Sequence, residues 1–387
     1  MDYDLIVVGA GIHGAGVAQA AAAAGHSVLV LEREALAAGT SSRSSKLIHG
    51  GLRYLENGQF RLVRECLRER RLLLRNAPSL VHLVPFHIPV YAETRRRPWQ
   101  LRLGLACYGL LAGLERSARF RSLPRSQWPA LDGLRQDGLQ AVLQYWDAQT
   151  DDRRLTEAVM ASARELGARL LLPAVLQSAR RTETGWRVTV AGDADKCEYT
   201  CRVLVNAAGP WVNQVLARIS PAPEILPVDL VQGSHILLEG HLRQGIYYLE
   251  AADGRAVFAM PWQGRLMVGT TETVFQGDPA QVTPQQEEID YLLATLASYF
   301  PAYRDYPRGQ VEAFAGLRVL PAGQGPAFRR PRETVLHPAA DPCPRLLSIY
   351  GGKLTAYRAT AEAVMARLRP VLPPRQTIAD TRRLKLG

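Results

Sequence analysis

Residues 4–14 read DLIVVGAGIHG, and residues 28–32 read VLVLE. The first stretch is an apolar strand that runs into the glycine pattern GxGxxG, and the alanine-rich residues from Gly14 to Ala24 then predict a helix. The second stretch is a buried strand that ends in an acid, Glu32. The glycines allow the backbone to approach a pyrophosphate at the helix N-terminus, and the acid can accept a hydrogen bond from a ribose hydroxyl. The two stretches therefore predict a Rossmann-like dinucleotide-binding domain.

A third stretch, TSSRSSKLIHGGLRYLE at residues 40–56, indicates a narrower group of proteins. It resembles the segment SSxSSKLIHGGLRYLE of the aerobic, FAD-dependent glycerol-3-phosphate dehydrogenase family, which is part of the D-amino-acid-oxidase-like superfamily. Later stretches follow in the family's order: NAAGPW at 206–211, GSHI at 233–236, GTTE at 269–272, GLR at 316–318 and GGKLTAYR at 351–358. The resemblance covers residues 2–370, and we expect a short member that lacks the C-terminal helical domain of longer relatives.

The resemblance implies an α/β fold made of two discontinuous domains. A Rossmann-like FAD-binding domain is expected over residues 1–75, 145–220 and 315–375. A substrate-binding α+β domain is expected over residues 76–144 and 221–314, and a C-terminal tail over residues 376–387. Apolar and polar positions alternate in the later part of the substrate-binding domain, which predicts an antiparallel sheet.

The resemblance also implies a reaction. FAD, bound non-covalently, is expected to oxidise sn-glycerol 3-phosphate to dihydroxyacetone phosphate by accepting a hydride at flavin N5, after which the electrons pass to a quinone. The sequence contains no second glycine fingerprint for NAD(P)H, which favours the organic substrate as the reductant. Three alternatives stay open: another polyol phosphate or a 2-hydroxy acid as substrate, an oxidase that reduces oxygen, and a non-catalytic protein that uses this fold to bind a partner.

Arginines that match the family's active-site pattern are the candidates for binding a phosphate, because a guanidinium presents paired N–H donors to phosphate oxygens. They are Arg53, Arg318 and Arg332, with Arg329 and Arg330 as alternatives to Arg332. Through the same resemblance, Tyr54 and Lys353 are expected to contact the substrate.

His235 lies in the GSHI stretch, away from the segments expected to hold the flavin. An imidazole titrates near neutrality and therefore suits a general base. We expect a catalytic set in which His235 removes the hydroxyl proton, Arg318 polarises the alkoxide and Arg53 holds the substrate. The alternative is a histidine with a structural hydrogen bond at the start of a strand.

The expected FAD-binding residues come from the glycine fingerprint and from the resemblance. Those at the adenosine and pyrophosphate end are Gly9, Gly11, Ile12, His13, Gly14, Glu32, Arg33, Val175 and Gly209. Those along the pyrophosphate and the ring are Thr40, Ser41, Ser42, Ser45, Lys46, Leu47 and His49. Gly352, Lys353, Leu354 and Thr355 are expected to begin a helix whose positive end stabilises the negative charge of reduced flavin.

The composition argues against several other functions. The formal net charge is +11, but the basic residues are dispersed and form no recognisable nucleic-acid-binding motif, so we expect an anionic small molecule rather than a nucleic acid. The five cysteines have neither CxxC nor metal-ligand spacing, so we expect no disulfide framework and no metal site. The odd number of cysteines favours the reducing cytoplasm, and the first strand begins almost at the first residue, which predicts that there is no signal peptide.

Two segments leave contact with the cytoplasmic face of a membrane open. Residues 60–75 place apolar residues at helical spacing with arginines on the other faces, as expected for a surface helix on the core or for a membrane-contact helix. Residues 99–114 are strongly apolar but shorter than the roughly 20 residues that span a bilayer. They fit either a buried helix or a helix that lies on a membrane surface.

Overall fold

The glycine fingerprint forms a strand–helix–strand unit at the centre of a parallel sheet. The computed structural model describes residues 1–56, 58–113, 115, 118–192, 196–323, 330, 333–338 and 344–387. In chain order the strands are β1 (Tyr3–Val8), β2 (Val28–Leu31), β3 (Leu47–Ile48), β4 (Val81–Tyr91), β5 (Arg121–Ser122), β6 (Leu139–Thr150), β7 (Arg169–Leu171), β8 (Val175–Arg181), β9 (Trp186–Ala191), β10 (Lys196–Asn206), β11 (Ile219–Ser220), β12 (Val228–Leu238), β13 (Ile246–Glu250), β14 (Ala256–Trp262), β15 (Arg265–Gly269), β16 (Thr273–Phe275), β17 (Glu312–Pro321), β18 (Val335–Pro338) and β19 (Leu346–Tyr350). The helices are α1 (Ile12–Ala23), α2 (Arg53–Glu56), α3 (Phe60–Asn76), α4 (Pro98–Leu111), α5 (Asp152–Glu165), α6 (Val212–Leu216), α7 (Gln286–Tyr299) and α8 (Tyr357–Leu368).

The first sheet has nine strands within the described residues, in the order β11-β8-β9-β10-β1-β2-β7, with β19 beside β10 and β18 beside β19. Strands β7, β2, β1, β10 and β19 pair in parallel. Strands β1 and β2 are continuous apolar runs because both faces of the sheet are covered, with α1, α5 and α8 sharing one core on one face. This arrangement confirms the predicted Rossmann-like sheet.

The second sheet has ten strands among the described residues, in the order β16-β12-β15-β14-β13-β4-β6-β3, with β17 beside β12 and β5 beside β6. Its neighbouring strands are antiparallel except for the parallel pair β13 and β4. Helix α7 packs on this sheet through Leu292 and Leu296, which share a core with β12 and β14. The predicted mixed α/β fold with an antiparallel second sheet is confirmed.

Some strands of the second sheet cross the predicted domain limits. Strand β6 continues to Thr150, beyond the limit at residue 144, and β17 extends from Glu312 to Pro321, beyond the limit at residue 314. Strand β3, within the first predicted FAD-binding segment, also pairs with β6. The division into two domains stays a prediction, whereas the membership of the two sheets is a direct observation.

Helix α3 corresponds to the predicted basic amphipathic helix. Val63, Cys66 and Leu67 are buried on its inner face. Arg70 on the same helix is also buried, and its guanidinium donates to Asp147 Oδ1 at 2.6 Å. Helix α3 is therefore packed on the core through both apolar contacts and a buried ion pair.

Helix α4 is partly buried and partly exposed. Leu105 and Tyr108 face the core, whereas Trp99, Leu103 and Leu110 are 63%, 60% and 65% exposed. Leu103 follows Trp99 by four residues and Leu110 follows Leu103 by seven, so the three exposed side chains lie on one face of the helix. Over the residues that the structure describes, every helix is too short or too polar to cross a bilayer.

Candidate active site

A cavity of about 450 Å³ opens where the carboxyl ends of the central strands meet the second sheet. Its wall includes Val8 and Leu31, the last residues of β1 and β2, together with Gly233 and His235 of β12. In open parallel sheets, ligands bind outside the carboxyl ends of the strands. The cavity is therefore the candidate site for both a cofactor and a substrate.

The glycines of the fingerprint allow close backbone contacts at one end of the cavity. Gly9 has φ +99°, a conformation that favours glycine, and a Cβ there would lie 2.7 Å from the carbonyl oxygen of Ala207. A Cβ at Gly14 would lie 1.8 Å from the carbonyl oxygen of Gly9, and one at Gly11 would lie 3.0 Å from Ser41 Oγ. Because Gly11 caps α1 without a side chain, a pyrophosphate can approach the helix N-terminus.

Glu32 follows β2 and lies on the cavity wall. Its carboxylate accepts hydrogen bonds from the backbone N–H groups of Ala10 at 2.8 Å and Glu34 at 3.0 Å. The adjacent Arg33 guanidinium lies 4.2 Å from the centre of a Trp211 ring. These contacts hold the acid where a ribose hydroxyl could reach it, and the ribose-binding role stays a prediction.

Most of the predicted cofactor residues lie on the cavity wall. They are Gly9, Gly11, Ile12, His13, Glu32, Arg33, Thr40, Ser41, Ser45, Leu47, His49, Val175, Gly209, Gly352, Lys353, Leu354 and Thr355. Gly14, Ser42 and Lys46 do not line it. Gly14 instead packs beneath Gly9, and the Ser42 hydroxyl donates to the carbonyl oxygen of Gly39 at 3.3 Å.

Lys46 is held by a buried carboxylate, and its contact with the cofactor stays a prediction. Its side chain is buried, and its ammonium group donates to Asp152 Oδ1 at 2.7 Å and to the carbonyl oxygen of Ser42 at 2.5 Å. Asp152 also accepts hydrogen bonds from the backbone N–H of Ser44 at 3.0 Å and from its hydroxyl at 2.7 Å. Since both oxygens of a buried carboxylate are satisfied this way, Lys46 joins the serine-rich segment to α5.

Several polar atoms on the wall fit a polar ligand. Within the described part of the chain, His13 Nδ1, Trp211 Nε1 and Lys353 Nζ are buried and form no hydrogen bond. All three residues line the cavity, and buried polar groups in folded proteins are normally hydrogen-bonded. The residues present therefore fit FAD, whose polar groups would supply the missing partners.

The segment after β19 turns into a helix close to the predicted place. Leu354–Ala356 form a short 3₁₀ turn that continues directly into α8 at Tyr357, so the helical segment begins two residues after Gly352. Gly352 is required by a close contact, because a Cβ there would lie 2.1 Å from His13 Nε2. Its φ of +106° also favours glycine.

The register of the second sheet places His235 on the cavity wall. His235 lies opposite Gly269 of β15 and opposite Phe314 of β17. The Phe314 ring stacks on the imidazole at 4.9 Å between ring centres, and a Cβ at Gly269 would lie 2.1 Å from His235 Cδ2. His235 Nε2 lies 2.9 Å from Ser45 Oγ. Four separate segments therefore meet around this ring.

The imidazole of His235 is neutral near pH 7. Burial, and then the positive charges of Arg318 and Lys46, lower its pKa to about 3. Its Nδ1 is buried and has no hydrogen-bond partner among the described residues. A neutral ring in this position can accept a proton when a negatively charged ligand offsets the neighbouring cations.

The predicted arginines Arg53 and Arg318 lie together on the wall and share a carboxylate. Arg318 Nη1 donates to Glu272 Oε1 at 3.1 Å, and Arg53 Nη2 lies 3.9 Å from the same oxygen. Arg318 Nη2 also donates to Thr270 Oγ1 at 3.2 Å. Gly233 opposite leaves the space for this arrangement, because a Cβ there would lie 2.9 Å from Arg318 Nη2.

The structure describes only some of the other predicted substrate residues. The Lys353 ammonium lies 3.5 Å from the centre of the Tyr54 ring, and both residues line the cavity. Arg332 and its alternative Arg329 lie outside the described residues. Arg330 does not line the cavity, and its guanidinium forms an ion pair with Asp229.

Two acids near the site were not predicted from the sequence. Glu272 lies on the cavity wall, although its GTTE stretch was used only for the resemblance. Glu288 is buried behind that stretch, where its carboxylate accepts hydrogen bonds from the hydroxyls of Ser234 and Thr271, both at 2.6 Å. The spacing Gln285-x-x-Glu288 is that of a helix capping box, which was the available signal for Glu288.

Known proteins similar to this chain agree with the geometry. The chain is 39% identical over 384 residues to a glycerol-3-phosphate dehydrogenase of Pseudomonas aeruginosa, covering 95% of this chain and 72% of the relative. It is 36% identical over 377 residues to a D-erythritol 1-phosphate dehydrogenase of Brucella abortus, covering 96% of this chain and 74% of the relative. The X-ray structure of the glycerol-3-phosphate dehydrogenase from Bacillus halodurans complexed with FAD is 27% identical, with a TM-score of 0.74, over 97% of this chain and 66% of that chain.

Residues 4–358 of the chain match the model of one protein family, which is described as FAD dependent oxidoreductase (DAO). This match includes the glycine fingerprint and every later stretch that lines the cavity. The family cofactor agrees with the glycine contacts at α1 and with the polar atoms that lack a protein partner. The chain therefore belongs to the family of FAD-dependent oxidoreductases.

Proposed function

We propose that this protein oxidises the secondary hydroxyl of sn-glycerol 3-phosphate to give dihydroxyacetone phosphate, with FAD as cofactor and a quinone as electron acceptor. The observation that carries this proposal is the arrangement of Arg53, Arg318 and His235 on one wall of the cofactor cavity. Two guanidinium groups provide a site for an anionic substrate, and a neutral imidazole close to them provides a proton acceptor.

The substrate phosphate needs several cationic donors at once. Arg53, Tyr54 and Lys353 all line the cavity, and the Tyr54 ring contacts the Lys353 ammonium. Charge-assisted hydrogen bonds to phosphate are stronger than neutral ones and fix its orientation. We assign phosphate binding to Arg53 and Lys353, with the Tyr54 hydroxyl as a further contact.

The reacting hydroxyl requires a proton acceptor and a positive charge. His235 can take the proton because its ring is neutral, and the arrival of a phosphate dianion would raise its pKa from about 3 by offsetting the nearby cations. Arg318 is held beside it, and burial followed by the charge of Arg53 lowers the Arg318 pKa to about 10, so it remains a cation near pH 7. Its guanidinium stabilises the negative charge that develops on the substrate oxygen. When bound, FAD supplies the acceptor for the hydride.

The electron acceptor is proposed from a different part of the molecule. A quinone is held in a bilayer, and α4 carries an exposed apolar face beside the exposed arginines Arg95, Arg97 and Arg102. Apolar side chains next to arginines favour a surface with anionic lipid. We propose that the protein binds a membrane surface peripherally through this face.

A second candidate substrate is D-erythritol 1-phosphate, which is favoured by the similarity to the Brucella abortus enzyme. It carries the same phosphate and a secondary hydroxyl, so Arg53 and His235 could serve it in the same way. Because the two substrates differ in chain length, the rates of turnover measured with both present show which of them the enzyme prefers.

The test mixes the purified yellow protein with sn-glycerol 3-phosphate in the absence of oxygen and follows the visible absorption band of the flavin. Prompt bleaching is expected, and Arg53→Ala or Arg318→Ala should lower kcat/KM at least about hundredfold. Arg308→Ala, at an arginine that is 71% exposed, is the matched control and should bleach normally. A flavin that dithionite reduces but sn-glycerol 3-phosphate does not would overturn the assignment, and D-erythritol 1-phosphate would then be tested.

A further inference from the structure

Glu272 places a negative charge beside the arginines that bind an anionic substrate in the proposed function. Its side chain is only 6% exposed, and its Oε1 lies 3.1 Å from Arg318 Nη1 and 3.9 Å from Arg53 Nη2. A carboxylate here competes with a phosphate for the same donors. Its presence in a site for an anion therefore requires an explanation.

The position of Glu272 is fixed by the residues on each side of it. The hydroxyls of Thr271 and Thr273 donate to Glu288 Oε1 at 2.6 and 3.0 Å. Thr271 Oγ1 also accepts from the backbone N–H of Ser234 at 2.8 Å, in the strand that carries His235. Since the neighbours of Glu272 are held from behind by a buried carboxylate, Glu272 is a built part of the wall.

Two of the five N–H groups of Arg318 are already used, and one of them donates to the Glu272 carboxylate. A bidentate contact uses two N–H groups of one guanidinium. In this structure Nη1 donates to Glu272 and Nη2 donates to Thr270 Oγ1 at 3.2 Å. A phosphate on this edge would have to displace Glu272 and would then lie next to its negative charge.

We infer that Glu272 is a specificity-determining residue that keeps the substrate phosphate away from Arg318 and directs it to Arg53 and Lys353. Arg318 is thereby reserved for the reacting hydroxyl oxygen, and the substrate is held in one orientation. This inference rests on the proposed function for the identity of the substrate. It concerns only the charge of the wall and applies to any phosphate-bearing polyol.

The test measures binding of inorganic phosphate to the FAD-bound protein and to Glu272→Gln, by the change in the flavin spectrum and by the shift in melting temperature. Glutamine keeps the size of the side chain and removes its charge. Because a unit charge a few ångströms from a dianion has a large effect in a partly buried site, phosphate should bind at least about tenfold more tightly to Glu272→Gln. Binding of glycerol, which has no charge, should change less than about twofold.

Glu312→Gln is the matched control, because Glu312 lies in the second sheet and is 70% exposed. It should leave phosphate binding unchanged. Unchanged or weaker phosphate binding by Glu272→Gln would overturn the inference. Turnover of sn-glycerol 3-phosphate is measured separately, so a wild-type protein that fails to oxidise it would contradict the proposed substrate without affecting the phosphate result.

A second pair of variants tests the inference if Glu272→Gln does not retain FAD. Arg53→Lys should weaken phosphate binding about tenfold, because a single ammonium cannot make the bidentate contact. Arg318→Lys should change phosphate binding less than about threefold, since the inference places no phosphate there. Equal losses in both variants would contradict it.

Discussion

Two glycines, Gly233 and Gly269, leave the space that side chains of the site occupy. His235 occupies the space above Gly269, and Arg318 and Thr270 occupy the space next to Gly233. Neither glycine needs a positive φ, so their role is to leave volume rather than to relieve backbone strain. A polar side chain in a packed interior keeps its position only when its neighbours leave that space.

Gly269→Ala should displace the imidazole of His235, because the added Cβ would lie 2.1 Å from His235 Cδ2. We expect kcat to fall at least about tenfold while FAD stays bound, since Gly269 is not on the glycine fingerprint. Steady-state turnover and the flavin spectrum measure the two effects.

Gly104→Ala is the control for that substitution. Gly104 lies in α4, and an added Cβ there has no heavy atom within 4 Å in the described structure. Alanine should stabilise the helix by about 1 kcal/mol without changing kcat. A normal kcat in Gly269→Ala would show that His235 tolerates movement, and the proposed proton transfer would lose its support.

At the scale of elements, the Tyr108 hydroxyl of α4 forms hydrogen bonds next to the cavity. Tyr108 Oη accepts a hydrogen bond from the backbone N–H of Gly50 at 2.7 Å and donates to Asp147 Oδ2 at 2.5 Å. Gly50 lies between His49 and Gly51, which both line the cavity. The inner face of a surface helix therefore positions the loop that precedes the substrate arginine.

Tyr108→Phe should destabilise the protein and alter substrate binding together. The buried N–H of Gly50 would lose its acceptor, which costs about 1–3 kcal/mol of unfolding free energy. Movement of the loop should raise KM more than it lowers kcat. Urea unfolding and steady-state kinetics measure these changes, with Tyr306→Phe as the control because Tyr306 Oη accepts from the Glu239 N–H at an exposed position. Equal effects of the two variants would contradict a positioning role.

The outer face of α4 is the proposed membrane contact. Replacing Leu103 and Leu110 by serine should lower partition onto anionic vesicles at least about tenfold, because both side chains are at least 60% exposed and apolar. Vesicle sedimentation measures this, and the flavin spectrum should not change. Ile378→Ser is the control, at an apolar residue that is 62% exposed elsewhere. Equal partition of the double variant and the wild type would exclude this face as the contact.

The elements that could be predicted from the sequence are those that are specified by residues close together in the chain. The fingerprint predicted β1, α1 and β2 because its apolar runs and glycines are contiguous in sequence. The relation of Glu272 to Arg318 could not be predicted, because it depends on two sets of long-range pairs. Glu272 lies between β15 and β16, and these strands and β17, which carries Arg318, all pair with β12. The ion pair of Lys46 with Asp152 could not be predicted either, because it joins residues that are far apart in the sequence.

At the scale of the whole molecule, the site depends on contacts between the two sheets. The Thr40 hydroxyl, in the segment that follows the fingerprint, donates to the carbonyl oxygen of Leu317 in β17 at 2.6 Å. Ser45 Oγ also lies within hydrogen-bond distance of His235 Nε2, at 2.9 Å. The cofactor segment and the substrate wall are thus joined directly, and conditions that loosen either sheet should affect the whole site.

Acid should loosen the molecule because four histidines with lowered pKa values are neutral when it is folded. Burial lowers the pKa values of His13, His49 and His87 to about 4 and that of His235 to about 3. In the unfolded chain all four titrate near 6.5, so only the unfolded state gains protons as the pH falls below that value. Each histidine then removes about 1.4 kcal/mol of stability per pH unit until the pH approaches its folded pKa. Urea unfolding of the FAD-bound protein at pH 7.5 and pH 5 should therefore show a lower free energy of unfolding at pH 5. His87→Gln removes one of the four histidines and should reduce this difference by about a quarter, whereas the same change at the exposed His241 should leave it intact. An unaltered difference in His87→Gln would mean that other groups cause the acid sensitivity.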